Sequence, residues 1–380
     1  MKNKKALIIS NTIGLITDFL ENDIKILSEA GYEINLACNK KYKGKDTESF
    51  LEKYRINNIY QVDFPIRNIK VKQIIKSIVQ VKKILKDNNY QLVHCHSTIA
   101  ATIGRLCAKK YRKNGTKVFY TCHGFPFYEG NRGKKAKIFY LVEKYFSKYT
   151  DVLITICNED YENAKKMRCK KVYKINGVGV EIEKIINCNV NANEYRKKIG
   201  IDNNKKFILS IGEINTNKNH EVMIKAIGLM KEKEKIVYGI CGREVTEKGK
   251  KKELEKTAKE LNVKVCFFGY RKDIPEICKC ADIGALPSFK EGLGLSGIEM
   301  LAAGIPVVAS NRQGIKDYII NGKTGFLCNP DSKEDFKIGI EKTLELKKKD
   351  NTKTNCIDVA KQFSKKDAYK KMKEIYKGIL

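Results

Sequence analysis

The run Ala285-Leu-Pro-Ser-Phe-Lys-Glu291-Gly-Leu-Gly-Leu-Ser-Gly-Ile-Glu299-Met-Leu-Ala-Ala-Gly304-Ile-Pro-Val-Val-Ala-Ser310 decides the fold. It reads as a buried strand, a glycine loop, a short apolar helix stopped by Gly304, and a second buried strand begun by Pro306. The glycines let backbone approach a ligand closely, and the first turn of the helix presents unpaired N–H groups. Those donors, at the positive end of the helix dipole, suit an anion such as a phosphate. Two carboxylates bracket the loop. Glu299 lies among Ile298, Met300, Leu301, Ala302 and Ala303, on a helix expected to be mostly buried, where an ionised group is costly unless hydrogen-bonded. A ribose diol satisfies it, because two adjacent hydroxyls can both donate to one carboxylate. Glu291, on the loop, can accept from the hydroxyls of a sugar. The bland alternative is a glycine turn with both acids solvated.

Gly292-x-Gly294-x-x-Gly297 also matches the formal dinucleotide fingerprint. That fingerprint wants an acid closing the next strand, and here the strand ends Ser310-Asn311-Arg312. Several strand–helix units precede the loop, whereas the fingerprint normally sits on the first. The nicotinamide or flavin reading is therefore set aside.

Working outward, 380 residues suit two domains rather than one core. No apolar run approaches the roughly eighteen residues of a membrane span. The start, Met1 to Ser10, resembles a signal peptide only superficially; its apolar run is short and Asn11 and Asp18 follow, so it reads as a first buried strand. The thirteen cysteines lack both a disulfide framework and zinc-ribbon spacing, which points to reduced structural thiols in a cytoplasmic protein. The net charge of +31 is spread over both halves: 36 Lys+Arg against 18 Asp+Glu in residues 1–190, and 39 against 26 in residues 191–380. Such lysine is either compositional or suits anionic lipid headgroups or polyanions. No nucleic-acid module or basic–aromatic platform is present, so nucleic acid is not an expected partner.

In chain order, Lys5–Ser10 and Tyr32–Ala37 are strands around a helix from about Asp18 to Ala30, entered by the loop Asn11-Thr-Ile-Gly14. Lys70–Lys86 is helical, with Val71, Ile74, Ile78, Val81 and Leu85 on one face and Lys72, Lys76, Lys82, Lys83 and Lys86 elsewhere. That pattern suits a surface helix on a sheet, and also a helix lying on a membrane. Strands at Gln91–His94 and Lys117–Thr121 end in His94-Cys-His96-Ser-Thr and Cys122-His123-Gly124-Phe-Pro-Phe-Tyr128. Ligands of open α/β sheets bind at the carboxyl ends of strands, so His123-Gly124 is a candidate site loop. Asp151–Ile156 and Lys171–Ile175 are further strands. A polar stretch near 181–205 marks the domain boundary. Lys206–Gly212 opens a second series, with strands near Ile236–Ile240, Val263–Phe268, Ile283–Leu286 and Val307–Ala309. Ala360–Ile379 reads as an amphipathic helix. Alternating strands and helices in both halves imply an α/β protein of two doubly wound, Rossmann-like domains facing a central cleft. Residues 1–185 form the first, 186–359 the second, and 360–380 a helix crossing back to the first. Lys218 closes the first strand of the second domain, where a compact cation can neutralise a diphosphate, and Asn219 can cap the helix that follows.

Taken together, these pieces resemble the family 4 retaining glycosyltransferases with the GT-B fold, nearly end to end. The resemblance is carried by Val93-His-Cys-His96, Tyr120-Thr-Cys-His-Gly-Phe125, Asp151-Val-Leu-Ile-Thr155, Asn176-Gly-Val-Gly179, Gly212-Glu…Lys218-Asn-His220, Pro287-Ser288, Glu291-x7-Glu299 and Gly304-Ile-Pro-Val-Val308. It looks most like the subgroup that builds bacterial capsular or extracellular polysaccharide. The resemblance implies that Glu299 holds the nucleotide ribose and that Gly292, Leu293, Gly294, Leu295 and Ser296 offer backbone N–H groups to diphosphate and sugar. It implies that Glu291 grips the donor sugar and Lys218 offsets the diphosphate, with His123 as the further catalytic residue. Gly14, His96 and His123 would form the acceptor side.

Two departures stand out. Many members carry arginine beside the glycine where this chain has the donor-side residue Glu213, which leaves Arg243 or Arg271 to compensate. The first loop has Gly14 alone where others have paired glycines. The implied activity is transfer of a sugar from a nucleotide-sugar, expected to be a UDP-sugar, to a lipid-linked saccharide. It would need no metal and no other cofactor, and would act in the cytoplasm or peripherally at an anionic membrane surface. The alternatives are a UDP-N-acetylglucosamine 2-epimerase-like isomerase on the same fold and a non-enzymatic membrane- or polyanion-binding protein.

Overall fold

The structure, a computed structural model, describes residues 4–44, 46–66, 69–131 and 133–380; Met1–Asn3, where the signal-like start begins, lie outside them. It divides into two compact units, Met1–Gly179 with Lys365–Leu380, and Val180–Ser364.

The first unit is built on a seven-stranded parallel sheet. Its strands are β1 (Lys4–Thr12), β2 (Tyr32–Asn39), β3 (Ile59–Gln61), β4 (Leu92–His96), β5 (Lys117–Cys122), β6 (Val152–Thr155) and β7 (Lys171–Lys174). Between them lie α1 (Ile13–Phe19), α2 (Glu21–Glu29), α3 (Thr47–Lys53), α4 (Val71–Lys86), α5 (Thr98–Ala108), α6 (Lys134–Phe146) and α7 (Asn158–Ala164). The order is β3-β2-β1-β4-β5-β6-β7, so chain direction across the sheet reverses between β1 and β4. Ala6, Leu7, Ile8 and Ile9 are fully buried, as parallel strands covered on both faces require.

The second unit opens with α8 (Ile182–Ile186) and α9 (Ala192–Lys198). Its parallel strands are β8 (Lys206–Ile211), β9 (Ile236–Cys241), β10 (Lys264–Gly269), β11 (Ile283–Leu286), β12 (Val307–Ser310) and β13 (Gly325–Cys328). They alternate with α10 (His220–Gly228), α11 (Lys250–Glu260), α12 (Ile274–Cys280), α13 (Leu295–Ala302), α14 (Lys333–Lys347) and α15 (Thr352–Lys361). The order β10-β9-β8-β11-β12-β13 repeats the first unit's plan, with its switch point between β8 and β11. Both sheets are doubly wound Rossmann-like layers, the α/β fold class expected.

Some boundaries move. The first unit ends at Gly179 rather than 185, because Ile182 and Ile185 of α8 are buried against helices of the second unit. A side chain at Gly179, whose φ is +92°, would place Cβ 2.4 Å from Lys365 Cα, so only glycine fits where the two segments pass. The last helix is α16 (Lys365–Lys377), not 360–379. Phe363 turns into the second unit's core beside Tyr318 and breaks the helix before it. The expected helix 18–30 is two, α1 and α2, parted at Leu20, and the first starts at Ile13 because the Thr12 hydroxyl caps it by accepting from Leu15 N–H. All thirteen cysteines carry free thiols.

Candidate active site

Carboxyl ends of strands at a switch point are where an open parallel sheet leaves a crevice. In the second unit that point lies between β8, which runs out into Gly212–Asn219, and β11, which runs out into the glycine loop Pro287–Gly294. The two loops are tied together. Phe289 N–H donates to Asn217 O at 2.8 Å and the Asn217 amide donates to Lys290 O at 3.0 Å. Across this junction Lys218 Nζ meets Glu291 Oε1 at 2.5 Å, with both side chains largely buried. Gly212 keeps the floor clear, since a Cβ there would sit 3.1 Å from the Lys218 chain. Asn219 adopts a left-handed φ of +50° but does not cap α10 as expected. Its amide instead donates to Pro287 O at 3.1 Å and Pro330 O at 2.9 Å, bracing the end of β11.

The glycine loop is shaped by Tyr318. Its hydroxyl donates to Gly294 O at 2.9 Å, and Gly294, with φ +75°, opens α13. A Cβ on Gly294 would lie 2.9 Å from Leu286, and one on Gly297 only 2.4 Å from the Tyr318 hydroxyl. Both positions therefore exclude side chains. Glu299 is half-buried on the second turn of α13. Burial, and then the charge of Glu299, push the Cys278 thiol well above its ordinary range. A relay of hydrogen bonds backs the site. His220 Nδ1 meets Tyr238 Oη at 2.9 Å, Tyr238 donates to Ser210 Oγ at 2.8 Å, and Ser210 donates to Ala285 O at 2.8 Å. Burial lowers the pKa of His220 to about 4, so this tie between α10 and β11 is uncharged at neutral pH.

The first unit builds a second constellation at its own switch point, between β1 and β4. Asn11 N–H donates to Ser97 Oγ at 3.2 Å, while Asn11 Oδ1 accepts from Ala100 N–H of α5 at 3.2 Å. Ser97 holds φ +62°, unusual for a residue with a side chain. His96 Nδ1 lies 3.1 Å from His123 Nε2, and the rings of His94 and His96 are 4.2 Å apart. His94 is engaged at both nitrogens, by Tyr376 Oη at 2.7 Å and Thr121 Oγ1 at 2.8 Å. Tyr376, from α16, donates to Asp23 Oδ1 at 2.8 Å. Burial holds His123 down to about 4 and His94 to about 3, the latter also through His123, so these imidazoles are neutral at pH 7. Burial raises Asp23 to about 6. Asp23, His94 and His96 each bring a ligand-type atom within 4.8 Å of the other two. Both ring nitrogens of His94 are already hydrogen-bonded, whereas His96 Nε2 is buried without a hydrogen-bond partner.

A model of glycosyl transferases group 1 matches residues 191–363, and one described as glycosyl transferase 4-like matches residues 15–157. The EpsD protein of Bacillus subtilis (strain 168) is 34% identical over 307 residues, 80% of this chain and 77% of its own. The chain is a family 4 glycosyltransferase. An Escherichia coli relative, named UDP-Gal:alpha-D-GlcNAc-diphosphoundecaprenol alpha-1,3-galactosyltransferase, is 29% identical over 91% of both chains. Anabaena Alr3699/HepE, solved in complex with UDP and glucose, superposes with TM-score 0.76 at 17% identity, covering 99% of this chain and 100% of its own. WaaG, a glycosyltransferase involved in lipopolysaccharide biosynthesis, gives 0.72 at 16% identity, covering 98% and 99%. These likenesses establish the GT-B fold.

Within this glycosyltransferase the structure gathers Lys218, Glu291, Gly292, Leu293, Gly294, Leu295, Ser296 and Glu299 on one loop–helix segment and the loop beside it. It also brings His96 and His123 together. Other expected residues are engaged elsewhere. The Glu213 carboxylate is taken by Thr246, whose N–H and hydroxyl both donate to it. Arg271 is paired with Asp273 and donates to Tyr195 Oη at 2.9 Å. Arg243 lies over the Tyr270 ring at 5.2 Å. Both arginines thus have partners of their own. Gly14 lies not in a loop but buried in the first turn of α1, its N–H donating to Tyr42 O at 2.9 Å. A Cβ on it would meet Gly44 N at 2.8 Å, so packing leaves no room for a side chain here. Tyr318, Asn217, Ser97 and Tyr376 were missed from sequence, since each acts by contacts with residues far away along the chain.

Proposed function

We propose that this glycosyltransferase moves a sugar from a UDP-sugar to a lipid-linked saccharide during cell-surface polysaccharide synthesis, with retention at the anomeric carbon. The observation that carries the reading is the Lys218–Glu291 pair held across the β8/β11 switch point, at the mouth of the loop opening α13. In this reading the Glu299 carboxylate accepts both ribose hydroxyls, and the N–H groups of Gly292 to Ser296 meet diphosphate and sugar. Glu291 accepts from the sugar hydroxyls and releases Lys218 to the diphosphate. The bond between C1 and the phosphate oxygen breaks with its electron pair leaving on UDP. Lys218 and the N-terminus of α13 stabilise that developing charge. The acceptor hydroxyl then forms its bond to C1 on the face just vacated and gives its proton to the departing phosphate.

The first unit supplies the acceptor-side groups, His123 with His96 behind it. No step requires a metal or another cofactor. The acceptor reading is supported by the activity for which the Escherichia coli relative is named, a relative that spans 91% of this chain. Because such an acceptor is anchored in lipid, we place the enzyme at the cytoplasmic membrane face; no helix among the described residues is long and apolar enough to cross it.

A thermal-shift screen of UDP-, GDP- and ADP-sugars tests the donor. Stabilisation by UDP-sugars above the others is expected, and stabilisation by none would overturn the reading. Incubation with UDP-N-acetylglucosamine alone should give slow hydrolysis or nothing, whereas epimerisation at C2 would make the protein an isomerase.

A further inference from the structure

The sequence placed Val71 on the packed face of α4, together with Ile74, Ile78, Val81 and Leu85. In the structure Val71 is 71% exposed, and Ile75 and Val79 follow it at 58% and 62%. Four-residue spacing aligns these three in one outward row. Lys72, Lys76 and Lys83 run along its side, and Lys82 and Lys86 continue it; α4 contains no acidic residue. The same device recurs on α6. Ile138, Leu141 and Tyr145 form an exposed row at i, i+3 and i+7. Lys134, Lys135, Lys137 and Lys144 surround it, and the one acid of this helix, Glu143, is buried in an ion pair with Arg105. The two helices belong to one layer, since α5 packs against both and all three cover the same hydrophobic core. Leu141 and Lys137 also line a cavity of about 680 Å³ together with Tyr140 and with Phe127, which follows His123 closely in the chain.

Isolated exposed apolar side chains need no explanation, but two aligned rows ringed by lysine do. A second copy of the chain is a poor occupant, because two such faces would bring like charges together. Long lysine stems can keep their ammonium groups among phosphates while the apolar row enters the acyl boundary. We propose that the outward face of α4 and α6 is the surface by which the protein lies on an anionic bilayer. This deepens the lipid-linked acceptor reading by naming the membrane contact, but the surface itself does not depend on that reading.

The test is co-sedimentation of the full chain with phosphatidylglycerol/phosphatidylcholine vesicles and with phosphatidylcholine alone, in the absence of donor and acceptor. At least tenfold stronger partitioning onto the anionic vesicles is expected, weakening as salt rises. The triple variant Ile75→Asn, Val79→Asn, Leu141→Asn and the charge variant Lys72→Gln, Lys83→Gln, Lys134→Gln, Lys135→Gln should each lose at least tenfold. All the altered side chains are exposed, and an unchanged melting temperature verifies the fold. Equal binding to both vesicle types, or variants that bind like wild type, would overturn the inference. So would a wild-type dimer in sedimentation equilibrium that the triple variant dissociates. Transfer to a detergent-dispersed lipid-linked saccharide is measured separately. Its failure with vesicle binding intact would sink the acceptor reading alone.

Discussion

At the scale of single residues, the donor loop owes its shape to groups that never touch a substrate. Tyr318 is buried and its hydroxyl serves Gly294 O, while Gly294 and Gly297 leave room for the ring. Replacing Tyr318 with Phe leaves the half-buried Gly294 carbonyl without this donor, at a cost of about 1 kcal/mol. The expected outcome is a lower urea midpoint for the second unit and a raised donor KM, with kcat less affected. An unchanged donor KM would mean that the loop is held by other contacts. Glu291 and Glu299 were legible in the sequence because carboxylates beside a glycine loop are chemically conspicuous. Tyr318 was not, being one tyrosine among nineteen and 24 residues beyond its partner.

At the scale of elements, long buried strands were read correctly because continuous apolar runs admit few alternatives. The strands not foreseen, β3 and β13, are short and lie at the edges of their sheets, where half-burial leaves a weak pattern. The helix breaks at Leu20 and at 362–364 were invisible for a related reason: what ends those helices is tertiary packing, with no proline or glycine to announce it. Packing between elements also hides a charge. Arg105 of α5 and Glu143 of α6 are both buried, paired at 2.5 and 3.0 Å, with the guanidinium 4.4 Å from the Tyr120 ring centre. Arg105→Met leaves Glu143 buried without its cation and should cost about 3–5 kcal/mol. Adding Glu143→Leu should restore much of the loss, a comparison that a double-mutant cycle by chemical denaturation makes directly. Additive losses would show the pair to be uncoupled.

Across the whole molecule, the chain returns to the first unit through α16, whose Tyr376 stands between Asp23 and His94. Truncation after Ser364 removes that hydroxyl together with the buried Met372 and Ile375, and should lower the first unit's stability while leaving donor binding in the second. The buried histidines give the fold a pH dependence. His94 and His123 titrate near 3 and 4 when folded, below the ordinary 6.5, so between pH 6.5 and 4 the unfolded chain binds protons that the folded one refuses. Stability should fall as pH drops through that window, by on the order of 1 kcal/mol per pH unit for each histidine. Asp23, raised to about 6, takes up its proton earlier in the folded state and offsets part of the loss. Urea midpoints at pH 7.5 and 5.0 check the sign; equal or higher stability at pH 5.0 would contradict the burial of neutral imidazoles.

If Glu299 and the Glu291 loop hold an activated sugar nucleotide, calorimetric titration of UDP into wild type and Glu299→Ala will register it. At least a tenfold loss of affinity is expected in the variant, about 1.4 kcal/mol or more, with an unchanged melting temperature. Wild-type affinity in Glu299→Ala would remove the basis for this donor site.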